Sequence, residues 1–318
     1  MEYVSLGGTG LLASRIGLGC EILGGTDWGN VDPEQAVLAV HHAIDVGINV
    51  FDTADVYGLG KSEEALSHAL GDRRHDMIIV SKCGVNWKAS SKGQRAATFR
   101  DCSPEHIRFS VEASLRRLRI ESIPVYLLHW PDPKTPIEES VEALLQCKEE
   151  GKIRSFGFSN FCLDSLTRVR DMVDTAVVEV PYSLLERSSG ADLIPYAHQS
   201  GWGVLCYGVL AQGLLTGKYS NESEFTEADR RHRLAHFAAE AWRTNDQILS
   251  GLRKVALNKK AEISQVAISW VLSHPGVSVA LVGARTQGQV DRNAAAVDVS
   301  LDQHDLGVLL DAHEASDS

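Results

Sequence analysis

The amino-acid sequence predicts an α/β fold, a (β/α)₈ TIM barrel preceded by a β-hairpin, from three observations. Eight short β-rich apolar runs alternate with longer segments that have the hydrophobic period of a helix. The runs are apolar on both faces, which is typical of parallel strands covered by helices. An open doubly wound sheet also satisfies this pattern, but eight units in 318 residues favour the closed barrel. We therefore expect residues 1–318 to form a single domain.

The elements are predicted in the following order. Residues 3–13 form short alternating runs around Gly7-Gly8-Thr9-Gly10, which indicates the hairpin. A polar stretch at 220–243 is too long for a plain connection and predicts a large loop on the seventh unit. The eight predicted barrel strands are residues 15–19, 49–51, 77–81, 125–128, 154–158, 176–180, 203–206 and 278–282.

Three of the intervening helices have start signals in the sequence. Asp32-Pro33, Ser103-Pro104 and Thr135-Pro136 each place a capping side chain before a proline. Proline is favoured at the first helical position, where its missing N–H costs nothing. Each pair therefore predicts a helix that begins at the proline and is capped by the preceding side chain.

The composition argues against several classes of protein. With 42 acidic and 31 basic side chains, the formal net charge is −11, which is poorly suited to binding the phosphates of a nucleic acid. No stretch approaches the roughly 20 apolar residues that span a bilayer. The first six residues lack the basic flank and apolar run of a signal peptide. We expect a cytoplasmic protein with no nucleic-acid or membrane partner.

The cysteines and histidines give no sign of a metal site. The six cysteines stand singly, without a CxxC pair or the spacing of a zinc site, which predicts reduced thiols. His232 and His236 are four residues apart, but no further ligand residues accompany them. We expect no bound metal.

Polar residues stand at the end of nearly every predicted strand. In a barrel of parallel strands, side chains at the carboxyl ends face one mouth, where active sites lie. So many polar groups at one mouth are hard to explain by packing alone. In strand order the polar residues are Asp52, Lys82, His129, Ser159, Asn160, Glu179, Tyr207 and Arg285. Arg285 follows the last strand after Gly283 and Ala284.

Four residues at this mouth suit one proton-transfer step. Asp52 and Lys82 belong to adjacent predicted strands and are placed to pair, and Tyr57 follows Asp52 by five residues. A lysine ammonium stabilises a neighbouring phenolate, so we expect the pKa of Tyr57 to fall from its usual ~10. Tyr57 would then be the general acid for a carbonyl oxygen that His129 orients.

Each of these residues also has a purely structural interpretation. Asp52 is suited to cap the following turn, Lys82 to extend from a strand end towards solvent, and His129 to pack in the core. Taken singly, each residue favours that interpretation. Together, four suitable residue types at three successive strand ends favour an active site.

Several motifs resemble those of the aldo-keto reductase family, in the family's order. The resemblance runs from Leu6 to about Ala296. It implies the barrel fold, NADPH as hydride donor, and a catalytic tetrad of Asp52, Tyr57, Lys82 and His129, with Tyr57 as proton donor. The matching segments are Phe51-Asp52-Thr53-Ala54-Asp55-Val56-Tyr57-Gly58, Ser62-Glu63-Glu64, Val80-Ser81-Lys82, Leu127-Leu128-His129-Trp130-Pro131, Gly157-Phe158-Ser159-Asn160-Phe161 and 207–218.

The resemblance also implies a coenzyme site. Ser159 and Asn160 would hold the nicotinamide carboxamide, and Tyr207 would stack on the ring. Arg285 lies in a segment similar to the family's site for the adenosine 2′-phosphate, and a fixed guanidinium there favours NADPH over NADH. The alternative for Arg285 is a solvated charge on a loop. The remaining expected coenzyme contacts are Gly208, Leu210, Gln212, Gly283, Gln289, Arg292 and Asn293.

The chain departs from the family pattern at two coenzyme positions. Glu179 stands where a glutamine usually contacts the carboxamide, and a carboxylate accepts hydrogen bonds but does not donate them. Arg292 stands where an acidic residue commonly meets the adenine amino group, and a guanidinium does not accept that hydrogen bond. Glu21, after the first strand, is an unusual charge near the pocket; it either helps to select the substrate or points away.

The substrate wall is predicted from aromatic residues on loops. Trp28, Trp87 and Trp130 follow the first, third and fourth strands, and such aromatics either stack on a substrate or only pack. Segment 207–218 resembles bacterial family members of broad specificity. The expected substrates are therefore aldehydes, keto sugars or ketones of secondary metabolism.

Two other functions compete with carbonyl reduction. The β subunits of potassium channels resemble aldo-keto reductases and keep the tetrad, so an NADP(H)-binding regulatory module is the alternative. We expect no segment ahead of the barrel for docking to a channel, which disfavours it. A metal-dependent hydrolase would need clustered ligands at the strand ends, and only His129 and Asp52 are present.

Overall fold

The structure, a computed structural model, describes residues 1–88 and 96–314, apart from the side chains of 313 and 314. The described chain begins with an antiparallel hairpin of β1 (Tyr3–Ser5) and β2 (Leu12–Ser14), as predicted. A second hairpin, formed by β6 (Val85–Trp87) and β7 (Thr98–Arg100), was not predicted from the sequence.

Eight parallel strands form a closed barrel. Each of the eight predicted strands overlaps one of them, so the predicted (β/α)₈ barrel is confirmed. Around the barrel the strands are β3 (Ile16–Gly19), β4 (Val50–Asp52), β5 (Ile78–Cys83), β8 (Ile123–Leu128), β9 (Ile153–Ser159), β10 (Val177–Pro181), β11 (Gly203–Tyr207) and β12 (Val279–Gly283), and β12 pairs with β3.

Helices follow the barrel strands and cover the outside of the barrel. None of them, in the part of the chain that the structure describes, is long and apolar enough to cross a membrane. The helices are α1 (Pro33–Asp45), α2 (Lys61–Leu70), α3 (Pro104–Leu118), α4 (Ile137–Glu149), α5 (Leu163–Arg168), α6 (Ser188–Ala191), α7 (Leu193–Gln199), α8 (Trp242–Lys259), α9 (Ile263–Ser273), α10 (Gln287–Ala294) and α11 (Gln303–Glu314).

Two of the three predicted helix caps are present. The Asp32 carboxylate accepts from two backbone N–H groups of α1, and the Ser103 hydroxyl accepts from the N–H of His106 in α3. The prediction for Thr135 is wrong: α4 begins at Ile137 without a side-chain cap. The Thr135 hydroxyl instead donates to the Asp132 carboxylate at 2.7 Å. Because the helix begins one residue later than predicted, the residue at the capping position is Pro136, which has no side-chain acceptor.

The chain between β11 and α8 forms the predicted large loop. It contains short 3₁₀ turns but no α-helix between residues 208 and 241. An ion pair between Arg231 and Asp229 at 2.6 Å stabilises it internally. An isolated antiparallel bridge between Asp229 and Trp28 joins it to the loop after β3. The loop therefore lies at the mouth of the barrel.

The apolar interior of the barrel is closed at one end by the first hairpin. Leu6, Leu11 and Ala13 form one buried cluster with inward-facing residues of the barrel strands. A second and larger apolar cluster lies between strands and helices. The carboxyl ends of the strands, at the other end, are left for polar side chains. The other buried members of this cluster are Val50, Ile78, Val80, Val125, Leu127, Val177, Leu205, Val279 and Leu281.

Two glycines bring the loops after β3 and β4 into backbone contact. Gly58 has φ +60°, and a Cβ placed there would lie 2.2 Å from the carbonyl oxygen of Gly24. No side chain fits in that space, so the contact requires glycine. Tyr57 precedes Gly58, and this contact therefore sets the position of Tyr57.

We expect Gly58→Ala to destabilise the protein more than Gly10→Ala. Gly10 has left-handed backbone, with φ +75° and ψ +6°, but a Cβ at this position would meet no atom within 4 Å. Gly10→Ala should cost only the left-handed backbone strain, about 1–2 kcal/mol in the free energy of unfolding. Gly58→Ala adds a backbone clash and should cost at least about 1 kcal/mol more. Urea unfolding measures both values, and equal losses would contradict this account of the contact.

Candidate active site

Three strands bring Asp52, Lys82 and His129 to the mouth of the barrel. Asp52 is the last residue of β4, Lys82 lies near the end of β5, and His129 directly follows β8. These strands are consecutive neighbours in the barrel. All three side chains are buried, and the Lys82 side chain is 0% exposed. The predicted grouping of these residues is therefore present.

The Lys82 ammonium is shared by two carboxylates. It donates to Asp52 Oδ1 and, at 3.0 Å, to the backbone oxygen of Thr53. The Glu179 carboxylate reaches it from β10, with Oε2 3.2 Å from Nζ. Burial lowers the pKa of Lys82, but the two carboxylates together outweigh burial and raise the pKa above its usual value. Lys82 is thus a charged ammonium at neutral pH.

Tyr57 lies beside this ion pair, on the loop after β4. Its ring centre is 5.5 Å from Lys82 Nζ and 5.7 Å from the ring centre of His129. The prediction that its pKa falls is wrong. Burial raises the pKa of Tyr57 well above 10, and the charges of Asp52, Glu21 and Glu179 raise it further. The Lys82 ammonium, which is itself paired with Asp52, does not offset these effects on the pKa of Tyr57.

His129 is a neutral imidazole in this environment. Burial lowers its pKa well below 6.5, and the positive charges of Lys82 and Arg100 lower it further. Its Nδ1 is buried and has no hydrogen-bond partner among the described residues. A neutral imidazole has one N–H donor, which suits a partially negative oxygen.

A chain of hydrogen bonds crosses the ends of β9, β10 and β11. The Tyr207 hydroxyl donates to Asn160 Oδ1 at 2.6 Å, and Asn160 Nδ2 donates to Ser159 Oγ at 3.0 Å. Ser159 Oγ in turn donates to Glu179 Oε1 at 3.4 Å. Asn160 has φ +63°, a conformation that asparagine tolerates better than most residues. The four residues predicted for the carboxamide and the ring of nicotinamide thus lie together.

Three of the expected coenzyme contacts, Gly208, Leu210 and Gln212, follow β11 in a turn with left-handed backbone. Gly208 has φ +67° and Gln212 has φ +52°. Tyr207, Gly208 and Gln212 line one cavity, whereas Leu210 packs partly buried against the apolar core. Gly208 and Gln212 are therefore placed where a ligand in this cavity could contact them, and Leu210 supports the turn.

The predicted phosphate segment, 283–293, contributes to a cluster of basic side chains. Burial lowers the pKa of Lys218, and Arg231, Arg285 and Arg292 lower it further. Burial and then Arg285 lower the pKa of Arg231 to about 10. These basic side chains repel one another, although the protein as a whole has a net charge of −11. A group of positive charges of this kind is suited to binding an anion. Sequence analysis did not assign Lys218 or Arg231, although Lys218 ends the 207–218 motif.

The other residues of this segment hold it in place. The backbone N–H of Arg285 donates to Gln289 Oε1 at 2.6 Å, and Asn293 Nδ2 donates to the oxygen of Gly283 at 3.5 Å. Arg292 forms an ion pair of 3.5 Å with Glu262. Arg285 Nη2 donates to the backbone oxygen of Trp28 at 2.7 Å and so joins the segment to the loop after β3.

Glu21 points towards the mouth. Both of its carboxylate oxygens accept from Arg230 Nη1, at 2.7 and 3.0 Å. Both residues act electrostatically on Tyr57, Glu21 raising and Arg230 lowering its pKa. The guanidinium centre of Arg230 is 5.5 Å from the Trp28 ring. Arg230, in the polar stretch 220–243, was not assigned from the sequence.

The three tryptophans differ in placement. The Trp130 ring stacks on His129, with centres 6.4 Å apart, and Arg100 covers it at 4.5 Å. Trp28 lies against Arg230 and Arg231 on the opposite side of the mouth. Trp87 is in the β6–β7 hairpin, and the structure records no ring contact between it and the tetrad within the described residues.

Comparison with known proteins identifies the family. A model of the aldo/keto reductase family matches residues 15–313. The chain belongs to this family. It is thus an oxidoreductase that acts on carbonyl or CH–OH groups of small molecules, and the family uses nicotinamide coenzymes. The resemblance found from the sequence motifs is confirmed.

Relatives cover nearly the whole chain. Aldo-keto reductase YhdN of Bacillus subtilis is 35% identical over 98% of this chain and 94% of that protein. The NADH-specific methylglyoxal reductase of Escherichia coli is 32% identical over 99% of each. A probable voltage-gated potassium channel subunit beta of Arabidopsis thaliana is 31% identical over 94% of this chain and 92% of that protein.

A solved structure has the same fold throughout. The glycerol dehydrogenase AKR11B4 from Gluconobacter oxydans superposes with a TM-score of 0.91 at 35% identity, over 99% of this chain and 95% of that one. The barrel and the hairpin ahead of it are therefore those of an aldo/keto reductase.

Proposed function

We propose that this aldo/keto reductase reduces an aldehyde or ketone to the alcohol with NADPH, and that Tyr57 is the general acid. One observation carries the proposal: a phenol that stays protonated lies beside a buried Lys82–Asp52 ion pair and a neutral His129. When bound, NADPH supplies the hydride for the carbonyl carbon. The protein then has to supply a proton to the carbonyl oxygen.

Each member of the tetrad has one task in this step. His129 donates a hydrogen bond that orients the carbonyl oxygen, and Tyr57 gives that oxygen its proton. The phenolate left on Tyr57 is negative, so the nearby Lys82 ammonium stabilises it more than it stabilises the phenol. Asp52 holds Lys82 in place through a hydrogen bond. Solvent returns the proton to Tyr57 after the alcohol leaves.

The basic cluster supports NADPH as the coenzyme. NADPH differs from NADH by the 2′-phosphate, a dianion that Lys218 and Arg285 would neutralise, with Arg231 nearby but already paired with Asp229. The methylglyoxal reductase relative is named as NADH-specific, so the family alone does not decide the preference. The cluster of this chain is what favours the phosphorylated coenzyme.

A regulatory NADP(H)-binding module is the second candidate. It is supported by the relative named as a potassium channel β subunit. Both functions require the same coenzyme site, so binding does not separate them. Steady turnover of NADPH with a carbonyl compound does, because a regulatory module would bind NADPH and oxidise it slowly.

We expect Tyr57→Phe to lower the rate of NADPH oxidation by at least about 100-fold, because general acid catalysis contributes that much. The dissociation constant for NADPH should stay within about twofold of the original, since only the proton donor is lost. Tyr3→Phe, in the hairpin at the closed end of the barrel, is the control and should keep full activity. An equal loss of NADPH affinity in Tyr57→Phe would contradict the role.

We expect Arg285→Ala to weaken NADPH binding by about tenfold or more, as expected for a lost charge-assisted hydrogen bond. NADH binding should change far less. Tryptophan fluorescence quenching gives both dissociation constants. Arg253→Ala, at an exposed position of α8, is the control. Equal weakening of both coenzymes would remove the argument for a 2′-phosphate site, because the lost contact to Trp28 affects both alike.

The Glu21–Arg230 pair supports a substrate that carries a hydroxyl group next to the carbonyl. A carboxylate accepts from that hydroxyl, and the guanidinium paired with it donates to the hydroxyl oxygen. The pair is neutral as a whole, which disfavours a charged keto acid. Two relatives are also named for small oxygenated compounds, one as a methylglyoxal reductase and the other as a glycerol dehydrogenase.

Hydroxyacetone and butanone test this substrate class, because they have nearly the same shape and differ in the hydroxyl group. We expect a higher kcat/KM for hydroxyacetone, and we expect Glu21→Gln and Arg230→Gln each to lower that preference about tenfold. Glu121→Gln, at an exposed position before β8, is the control. A preference that both variants leave unchanged would exclude the pair from substrate recognition.

A further inference from the structure

Glu179 creates an imbalance of charge in the barrel. One ammonium, Lys82, faces two carboxyl groups, Asp52 and Glu179, and the three side chains are at most 8% exposed. With both carboxyl groups ionised, the cluster would hold an uncompensated negative charge away from water. An uncompensated buried charge is unfavourable, and binding one proton removes it.

The contacts indicate which carboxyl group binds that proton. Asp52 accepts a hydrogen bond from Lys82. Glu179 Oε2 lies 3.2 Å from Lys82 Nζ and is a buried oxygen for which the structure records no hydrogen-bond partner among the described residues. Burial, and then the charge of Asp52, raise the pKa of Glu179 to about 8. Near neutral pH the proton is on Glu179.

Glu179 also belongs to the row of polar groups that ends at Tyr207. Its Oε1 accepts from Ser159, which accepts from Asn160, which accepts from the Tyr207 hydroxyl. These are the residues proposed for the nicotinamide end of the coenzyme. Glu179 thus connects the Lys82–Asp52 ion pair to the carboxamide site.

A neutral carboxylic acid differs from a carboxylate in what it offers a carboxamide. It has one O–H donor and one carbonyl acceptor, the same complement that a glutamine side chain offers. A carboxylate has only acceptors and would repel the carboxamide oxygen. The replacement of the family's usual glutamine by Glu179 therefore loses nothing while the side chain is neutral.

We propose that Glu179 works as a neutral carboxylic acid that positions the nicotinamide carboxamide in the way a glutamine would, and that NADPH binding is linked to one proton. This inference rests on the proposed NADPH site. Glu179 is a positioning residue here: it contacts the coenzyme but not the reacting carbonyl. Ionisation of Glu179 removes the O–H donor of the carboxylic acid and places a second negative charge beside Lys82.

The other groups that face Glu179 do not titrate in the same range. On the neighbouring strand β11, burial raises the pKa of Cys206 and raises the pKa of Tyr207 to about 12. From β5, Lys82 has a raised pKa and stays charged. Tyr57 has a raised pKa and stays neutral. On β4, Asp52 is paired with Lys82, and Ser159 of β9 has no charge.

The first test measures NADPH dissociation constants by fluorescence between about pH 7 and about pH 9. Because only the protonated form of Glu179 donates, we expect the constant to rise about tenfold over this range. Glu179→Gln keeps the donor and acceptor at every pH, so its constant should stay nearly flat and similar to the original at about pH 7. Glu121→Gln should follow the unaltered protein.

Adenosine 2′,5′-bisphosphate separates the two ends of the coenzyme site, because it lacks nicotinamide. Its affinity should not change over the same pH range. The same pH dependence for the bisphosphate would place the titrating group at the phosphate end and overturn the proposal. A flat NADPH curve for the unaltered protein would also overturn it, while leaving NADPH-dependent reduction intact. If NADPH did not bind at any pH, the proposed function and this inference would both be wrong.

The second test measures protons directly. Calorimetric titration with NADPH in two buffers of different ionisation enthalpy gives the number of protons taken up. At about pH 8.5 we expect an uptake of roughly three quarters of a proton for the unaltered protein and none attributable to this site for Glu179→Gln. Equal uptake by the two proteins would contradict the assignment to Glu179.

Discussion

The ammonium of Lys82 is the charge around which the mouth of the barrel is arranged, because it is completely buried and has to be paired there. Asp52 supplies the hydrogen bond from the adjacent strand. Glu179 comes from β10, which is three strands away from β5 around the barrel, and so reaches Lys82 across the interior. A closed barrel is the arrangement that lets carboxylates from two such distant strands meet one ammonium.

Burial and this charge arrangement together explain the protonation states of the neighbouring groups. Burial and the charge of Asp52 raise the pKa of Tyr57 and leave it as a phenol, while burial and the charge of Lys82 lower the pKa of His129 and keep it neutral. A protonated phenol and a neutral imidazole are both hydrogen-bond donors, which is what a carbonyl oxygen requires during reduction. The proposed direction of proton transfer, from Tyr57 to the carbonyl oxygen, therefore depends on the electrostatics of the barrel interior as well as on Tyr57 itself.

The long loop after β11 joins the other parts of the site. Through Arg230 it contacts Glu21 beside Tyr57, and through Arg231 it contributes to the basic cluster near Arg285. Arg285 itself holds the backbone of Trp28. The proposed recognition of the substrate and of the coenzyme phosphate thus involves the same loop, and several basic side chains of this negatively charged protein lie near the proposed 2′-phosphate site.

The sequence by itself determined the eight strands, the hairpin, the caps at Asp32 and Ser103, and the grouping of the tetrad, because hydrophobic period, proline position and strand ends are local patterns. It did not determine the partner of Thr135, the direction of the Tyr57 pKa shift, or the roles of Lys218, Arg230 and Arg231. Those depend on side chains far apart in the chain, such as Glu179 beside Lys82 and Arg230 beside Glu21. Their distances and burial exist only once the barrel has closed, and electrostatic effects depend on both.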